Sequence, residues 1–482
     1  MLETVLTVSY LVILLSLAVY GFHRSTLVYF YYKYKDRQPK PGQQFDELPR
    51  VTVQLPLFNE MYVAPRLLDA VAQIDYPREL LEVQVLDDST DETQDLCKQK
   101  VDELRATGLD ITYIHRVDRS GFKAGALENG LRTASGEYVL IFDADFLPQP
   151  DILANTIHFF TDPKCGMVQV RWDHINRDYS RLTQVQALML DGHFVMEHAG
   201  RNRAGRFFNF NGTAGIWRRS AIDDAGGWAH DTLTEDMDLS YRAQLRGWKF
   251  VYLPQVVAPA ELPVEMNSFK SQQFRWAKGS IQVARKLLPT IMRAKVPFGV
   301  KMEAFFHLTN NFAYPLLMIL SLLLLPNLAF RTRHGWREVL IIDLPLFFGT
   351  TLSIASFYLA SQREVNPKGW RAAIKRLPLV MSLGIGLCIN QTRAVLEAMF
   401  GQKSEFVRTP KHGVMSKLES WTAKKYRAAK DITPYIELGF AAYFAAAMAV
   451  AIKGGHYVSM PFLAMFLVGF LYVGWLSVYQ RR

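Results

Sequence analysis

Three acidic groups in this chain are spaced for work on a phosphorylated substrate. Asp143-Ala-Asp145 closes the apolar run Tyr138–Phe142. Carboxylates at i and i+2, at the carboxyl end of a buried strand, reach the crevice where open α/β sheets bind ligands. Hard oxygens at that spacing suit a Mg2+ or Mn2+ that also holds a substrate diphosphate. Asp87-Asp88 likewise stops a second strand-like stretch, Leu81–Leu86. Thr234-Glu235-Asp236 opens the helical stretch Met237–Arg246, where acids complement the dipole and Thr234 or Thr232 could cap. Lys123, in Gly121-Phe-Lys-Ala-Gly-Ala-Leu127, stands at a glycine-rich helix start and is placed to meet an anion. Gln272-Gln-Phe-Arg275-Trp276 adds a cation and an indole on a basic amphipathic helix, Ser268–Arg285. Each group alone reads equally well as a cap, a solvated charge or a headgroup-level residue. Their occurrence together and in this order carries the weight.

The elements that must hold these groups follow from periodicity. Val51–Pro56, Leu81–Leu86, Ile111–His115, Tyr138–Phe142, Met167–Trp172 and Lys249–Leu253 read as strands. Helical patterns fall between several of them, at Pro65–Gln73, Glu92–Arg105 and Thr183–His198. That alternation predicts a doubly wound parallel α/β sheet. Asp191, His193 and Glu197 are polar positions of the last helix, and ordinary hydrogen bonding is expected for His193 and His198. Phe207–Gly215 is an aromatic, turn-rich stretch opening toward a helix.

The chain is 482 residues long, with 50% hydrophobic and 21% charged residues and a formal net charge of +10. Its apolar residues are unevenly spread, so a polar catalytic unit is attached to membrane spans. The surplus cations sit in short loops beside apolar segments, which favours membrane orientation and anionic headgroups over nucleic acid. Cys97, Cys165 and Cys388 have no metal or redox spacing and imply no disulfide framework. Val5–Tyr32 is long enough to cross a bilayer and is followed by Lys33, Lys35, Arg37 and Lys40. The positive-inside rule then puts the N-terminus outside and the catalytic unit in the cytosol. Ala304–Leu328, Val339–Ala360, Pro434–Ile452 and Val458–Tyr479 read as further spans. Leu377–Phe400 has basic flanks on both sides and is expected to be interfacial or re-entrant, with a sixth span as the rival. The expected organisation is a helix over residues 1–33, a catalytic domain over 48–267, interface helices over 268–303 and a membrane domain over 304–482.

The ordered set Asp88, Asp143-Ala-Asp145, Thr234-Glu235-Asp236 and Gln272-Gln-Phe-Arg275-Trp276 resembles the D, D-x-D, T/E-E-D and Q-x-x-R-W elements of membrane-embedded family 2 glycosyltransferases. These are inverting GT-A enzymes that include cellulose, chitin and hyaluronan synthases. V-L-D-D-S-T-D, G-F-K-A-G-A-L, V-L-I-F-D-A-D-F, F-N-G-T-A-G-I-W-R and A-G-G-W are similar to the cellulose-synthase-like A and C branches, the glucomannan 4-β-mannosyltransferases and β-1,4-glucan synthases. Phe406-Val-Arg-Thr409-Pro-Lys411 is similar to the F-x-V-T-x-K gating loop of bacterial cellulose synthase, with Arg408 where that motif has Val; the loop is expected over residues 403–415.

The resemblance implies a GT-A cytosolic domain on a transmembrane helical domain, and a role for each residue. Asp145, with Asp143, would hold Mg2+ or Mn2+ and the nucleotide. Asp88 would contact the nucleoside in a pocket with Pro56 and Glu60. Lys123 and Arg275 would meet the diphosphate. Asp236 would be the base on the acceptor hydroxyl, with Glu235 next to it. Trp276 would face the acceptor sugar, and Asn211, Gly212 and Thr213 would line its site. The donor is a nucleotide-diphospho-sugar, UDP-glucose or GDP-mannose, between which these motifs do not choose. The acceptor is a growing β-linked glycan exported through the spans, or alternatively a lipid. No oligomeric state follows from the sequence.

Overall fold

A computed structural model describes residues 2–334, 344–402, 408–426 and 431–480. Its centre is a seven-stranded sheet: β1 Val51–Leu57, β2 Leu81–Asp87, β3 Asp110–His115, β4 Tyr138–Ile141, β5 Cys165–His174, β6 Gly215–Arg218 and β7 Lys249–Ala260. The order is β3-β2-β1-β4-β6-β5-β7. β1 is parallel to both β2 and β4, whereas β6 runs antiparallel to β4 and β5. The expected parallel, doubly wound sheet is therefore interrupted by one reversed strand, since β5 and β7 pair in parallel and run with β4. The reversal is made by β6, a four-residue strand inside a stretch whose sequence pattern points to a helix.

β2 and β4 are buried on both faces, with every residue of each buried, the polar Glu82 and Gln84 of β2 included. β1 and β4 are neighbours although separated by two strands in sequence, so the chain order reverses between them, and their carboxyl ends open a crevice. Register Gln54↔Ile141 places Pro56 and Asp143 on adjacent strand ends, and Leu57↔Asp87 adds Asp88 beside them.

Helix Thr183–His198 is really three pieces: Arg181–Asp191 with a Ser180 capping box, a π-helical turn Gly192–His198, and Ala199–Arg203. The basic aromatic helix runs further than its amphipathic pattern indicates, over Met266–Arg293. Among the described residues, four helices are long and apolar enough to cross a membrane: Thr4–Lys33, Phe298–Asn327, Thr433–Lys453 and Tyr457–Tyr479. The expected span Val339–Ala360 overlaps helix Leu344–Val365, and its first residues lie outside the described ones. Leu377–Phe400 breaks into helices Leu377–Gly386 and Cys388–Met399, the first continuing from the turn at Trp370–Arg376, with a bend of 42° at the break.

Candidate functional site

The carboxyl ends of β1, β2 and β4 form one wall of a cleft of ≈ 640 Å³. Helix Glu235–Leu245, helix Met266–Arg293 and the segment Arg408–Lys411 complete it. Of the expected residues, Pro56, Glu60, Asp88, Lys123, Asp143, Asp145, Asn211, Gly212, Glu235, Asp236, Arg275, Trp276, Thr409 and Lys411 all line it. Thr213 does not. It is wholly buried beneath the floor, and its Oγ1 accepts the Asp143 backbone N–H at 2.8 Å, so it positions the carboxylate instead of meeting a ligand. Phe406 lies outside the described residues.

Cations and carboxylates alternate through the cleft. Lys123 Nζ is paired with Asp143 Oδ1 and donates to the Gly212 carbonyl at 2.8 Å. Lys411 Nζ reaches Asp145 Oδ2 at 2.6 Å. Asp88 is gripped by both arms of Arg116, at 2.9 and 2.5 Å. Arg275 donates to Thr409 Oγ1 at 2.8 Å, which ties the Met266–Arg293 helix to the segment after residue 407. Arg408, the departure from the gating-loop pattern, stands 3.5 Å from Glu60 Oε1 and lies over the Tyr426 ring at 4.1 Å. Trp276 is 6.4 Å from Trp172, ring to ring, and both line the cleft.

Charge crowding shifts the titrations. Burial, reinforced by Glu235, pushes Asp236 up to about 8. Burial likewise raises Glu60 to about 8 against the pull of Arg408. Asp143 and Glu235 are also raised by burial, each opposed by Lys123. Lys123 keeps its charge: burial works against it, but Asp143, Glu235 and Asp236 outweigh that cost. A site holding more carboxylate than it comfortably ionises, with buried cations beside it, is ready for a further cation and for a polyanion.

Backbone strain concentrates here too. Asn59, Phe122 and Ala214 are the non-glycine residues with left-handed φ among the described ones, and each is in the cleft wall or one or two residues from it. Such outliers persist where surrounding structure over-determines them. Gly125 is needed for a close approach, since a Cβ there would stand 2.1 Å from the Ser120 carbonyl.

His193 and His198 do make ordinary hydrogen bonds. They hold Asn211 from both sides of its amide, at 3.1 Å from Oδ1 and 2.7 Å from Nδ2. Other cleft residues were not singled out by sequence: Arg119, Trp172, His174, His230 and Glu261. Glu261 had a usable signal, because it follows β7 directly, the same strand-ending carboxylate pattern as Asp88 and Asp143. It accepts from Arg66 at 2.7 Å and from the His412 N–H at 2.9 Å. Arg116 had none, as its pairing with Asp88 depends on the β2–β3 register.

The donor set is suited to a hard divalent ion. Asp143 and Asp145 supply two carboxylates on the cleft wall, and among the described residues no group of three or more His, Cys, Asp or Glu could form a complete protein cage. Two carboxylates plus substrate phosphates is the usual arrangement for Mg2+ and similar ions. Both carboxylates are presently engaged by ammonium groups, so a metal and Lys411 would compete for Asp145.

A partly parallel sheet with strand-end carboxylates above a reversal point, and an acid at a helix start facing them, defines a GT-A type glycosyltransferase. Comparisons agree. The glycosyltransferase-like family 2 signature matches residues 49–279. Glucomannan 4-beta-mannosyltransferase 2 of Arabidopsis thaliana is 34% identical over 94% of this chain and 87% of its own length. Glucomannan 4-beta-mannosyltransferase 1 of Oryza sativa subsp. japonica is 35% identical over 91% and 85%. A probable glucomannan 4-beta-mannosyltransferase 7 of the same rice is 42% identical over 52% of this chain, and that match spans 43% of the rice protein. Among solved structures, a mannosyltransferase from Pyrobaculum calidifontis in complex with GDP-Man and Mn2+ has a TM-score of 0.54 at 23% identity, covering 82% of this chain and all 100% of that one; it shares the fold. The chain belongs to glycosyltransferase family 2, in the cellulose-synthase-like A group of these relatives, and is a glycosyltransferase.

One substitution probes the packing of this site directly. Gly212 has φ +81°, and a Cβ there would meet Asp236 Oδ2 at 3.1 Å and Lys123 Nζ at 3.5 Å. Gly212→Ala is expected to cost about 1–2 kcal/mol of backbone strain and to displace the Asp236 carboxylate, lowering transfer by roughly tenfold, the rate worth of ~1.4 kcal/mol. A thermal melt and a transfer assay check both effects; a variant normal in each would mean the floor is softer than its geometry implies.

Proposed function

We propose that this enzyme transfers mannose, with inversion, from a nucleotide-diphospho-sugar to the growing end of a β-1,4-linked glycan and passes the product into its own membrane domain. The observation that carries the chemistry is the meeting of Asp236, Lys123, Asp143 and Trp276 in one cleft. The mannosyl assignment is supported by the names of the plant relatives, which span most of this chain.

The roles follow from the arrangement. Lys123 and Arg275 bind the diphosphate and offset the charge that builds on the leaving group. Asp88, held by Arg116, orients the nucleoside together with Pro56 and Glu60. Asp143 and Asp145 hold the divalent ion, Mg2+ or Mn2+, which when bound neutralises the diphosphate as a Lewis acid. Asp236 takes the proton from the acceptor hydroxyl opposite the leaving group; its raised pKa makes it a stronger base once ionised. Trp276 and Asn211 cradle the acceptor sugar, with Gly212 giving room. The segment around Thr409 and Lys411 covers the donor side, where its contacts with Arg275 and Asp145 would loosen and reform during a cycle.

The catalytic domain is cytosolic and the N-terminus is on the far side, by the cation bias after Tyr32. Helix Met266–Arg293 lies at the junction, fastened to the Thr433–Lys453 span by a buried pair, Lys270 to Glu437, at 2.6 Å.

Purified enzyme with GDP-mannose and Mn2+ is expected to make long or insoluble mannan, and only traces of product from UDP-glucose. GDP at about 100 times its Kd should stabilise the protein by about 2.7 kcal/mol, with UDP giving no comparable rise in melting temperature. The reverse ranking would replace mannose by glucose. Label extracting into organic solvent would make the acceptor a lipid, and single additions to a glycan primer would remove processivity.

A further inference from the structure

Away from the catalytic cleft, a second cavity of ≈ 610 Å³ opens between helices Arg181–Asp191, Leu377–Gly386 and Met460–Tyr479. Among the described residues that line it, three are cations, Arg181, Lys375 and Arg376, and none is a carboxylate. Arg181 and Lys375 are exposed; Arg376 is half-buried and its Nε donates to Gln184 Oε1 at 3.2 Å. That bond engages one of the five N–H donors of the guanidinium. Like charges gathered on one wall repel one another and hold a standing attraction for an anion.

The remaining lining is largely apolar, with Leu379 on one side and Ala464, Met465 and Val468 on the other. Those three belong to Tyr457–Tyr479, a helix long and apolar enough to cross a membrane. The cavity thus joins a cationic wall, with no acidic residue among the described lining, to a surface made for hydrocarbon. A free phosphate would use only the first, and a neutral lipid only the second. Basic pockets between membrane helices are suited to anionic headgroups.

We propose that this cavity is a binding site for an anionic phospholipid of the surrounding bilayer. Its phosphate sits against Arg181, Lys375 and Arg376, and its acyl chains lie along Ala464, Met465 and Val468. Through Arg181–Asp191 the lipid touches the helix that continues into the π-turn carrying His193 and His198, which hold Asn211 in the cleft. The proposal rests on the reading that Tyr457–Tyr479 spans a membrane, which carbonate extraction of membranes tests separately, and it does not depend on the donor sugar.

The test uses the full-length protein in neutral detergent with added phosphatidylglycerol or phosphatidylcholine, and counts retained lipid by native mass spectrometry. Each cation near an anionic lipid is worth about fivefold, so Arg181→Gln/Lys375→Gln/Arg376→Gln is expected to lose phosphatidylglycerol retention by at least about tenfold, with GDP binding unchanged. Phosphatidylcholine should be retained weakly and equally by both proteins, and inorganic phosphate should not displace phosphatidylglycerol. Equal phosphatidylglycerol retention by the two proteins, equal retention of both lipids by the wild type, or displacement by phosphate would each overturn the proposal. Should the triple variant fail to fold, Ala464→Trp fills the apolar side and leaves every cation. It is expected to lower phosphatidylglycerol retention, and unchanged retention would overturn the proposal as firmly.

Discussion

Asp236→Asn is expected to reduce transfer by ~10²–10⁴-fold while donor binding stays nearly intact, the range typical of losing a positioned base. Asp236 lines the cleft, and among the described residues its Oδ1 accepts from the Met237 backbone N–H, at 2.8 Å, with no ion pair that commits its carboxylate to the donor-side cations. The competing role is local: an acid in the first turn of helix Glu235–Leu245 favours the dipole by about 0.3–1 kcal/mol, which would barely change turnover. Rate alone separates the two. The pH dependence has a definite sign. A base must be ionised, and burial holds Asp236 up to about 8, so kcat/KM of the wild type should climb with pH through that region and then level. Stability runs the other way. A carboxyl with a raised pKa binds an extra proton in the fold, so its contribution is complete below the unfolded value near 3.9 and is lost as pH rises through about 8. Asparagine never ionises, so Asp236→Asn should melt higher than the wild type at pH 8, with the difference shrinking toward pH 4. A folded variant with near-normal turnover would remove the assignment and make Glu235 the next residue to change.

That the acids are legible in the sequence has a physical cause. Tyr138–Phe142 is a continuous apolar run of the kind a strand buried on both faces requires, so the carboxylate directly after it, Asp143, falls at a strand end, and Asp88 ends the β-rich Leu81–Leu86 in the same way. Lys123 was readable because Gly121 and Gly125 mark a helix start under steric constraint. The misses share the opposite property. β6 is four residues long and made by long-range pairing with β4 and β5, so no periodicity announces it. Thr213 sits within a motif, but whether its side chain faces ligand or core is set by the strand it underlies, not by its neighbours in sequence. The placement of Lys411 against Asp145 joins positions 266 residues apart, and only a family resemblance pointed toward it.

Asp145→Asn should separate metal from base. Asn keeps the shape of the side chain and one acceptor oxygen for Lys411 Nζ, which now stands 2.6 Å from Oδ2, so the covering segment need not come loose. What it loses is the charge that suits a hard cation. An ion that bridges the carboxylate and the diphosphate and contributes ~3 kcal/mol to binding corresponds to about 100-fold in affinity. Calorimetry should therefore find that Mn2+ tightens nucleotide binding to the wild type by about that factor and leaves binding to Asp145→Asn almost unchanged. Without metal the two proteins should bind the nucleotide alike, because Lys123 and Arg275 are intact. Transfer should fall along with metal-dependent binding, unlike the Asp236 variant, which keeps binding and loses turnover. The lone structural alternative is that Asp145 serves only to seat Lys411. In that case a metal-dependent increase in affinity would survive in Asp145→Asn, and removing the partner instead, by Lys411→Met, would reproduce its loss of activity. If Asp145 holds the ion, Lys411→Met acts in the other direction on metal binding: it frees the carboxylate and lowers the Mn2+ concentration needed for half-maximal nucleotide affinity.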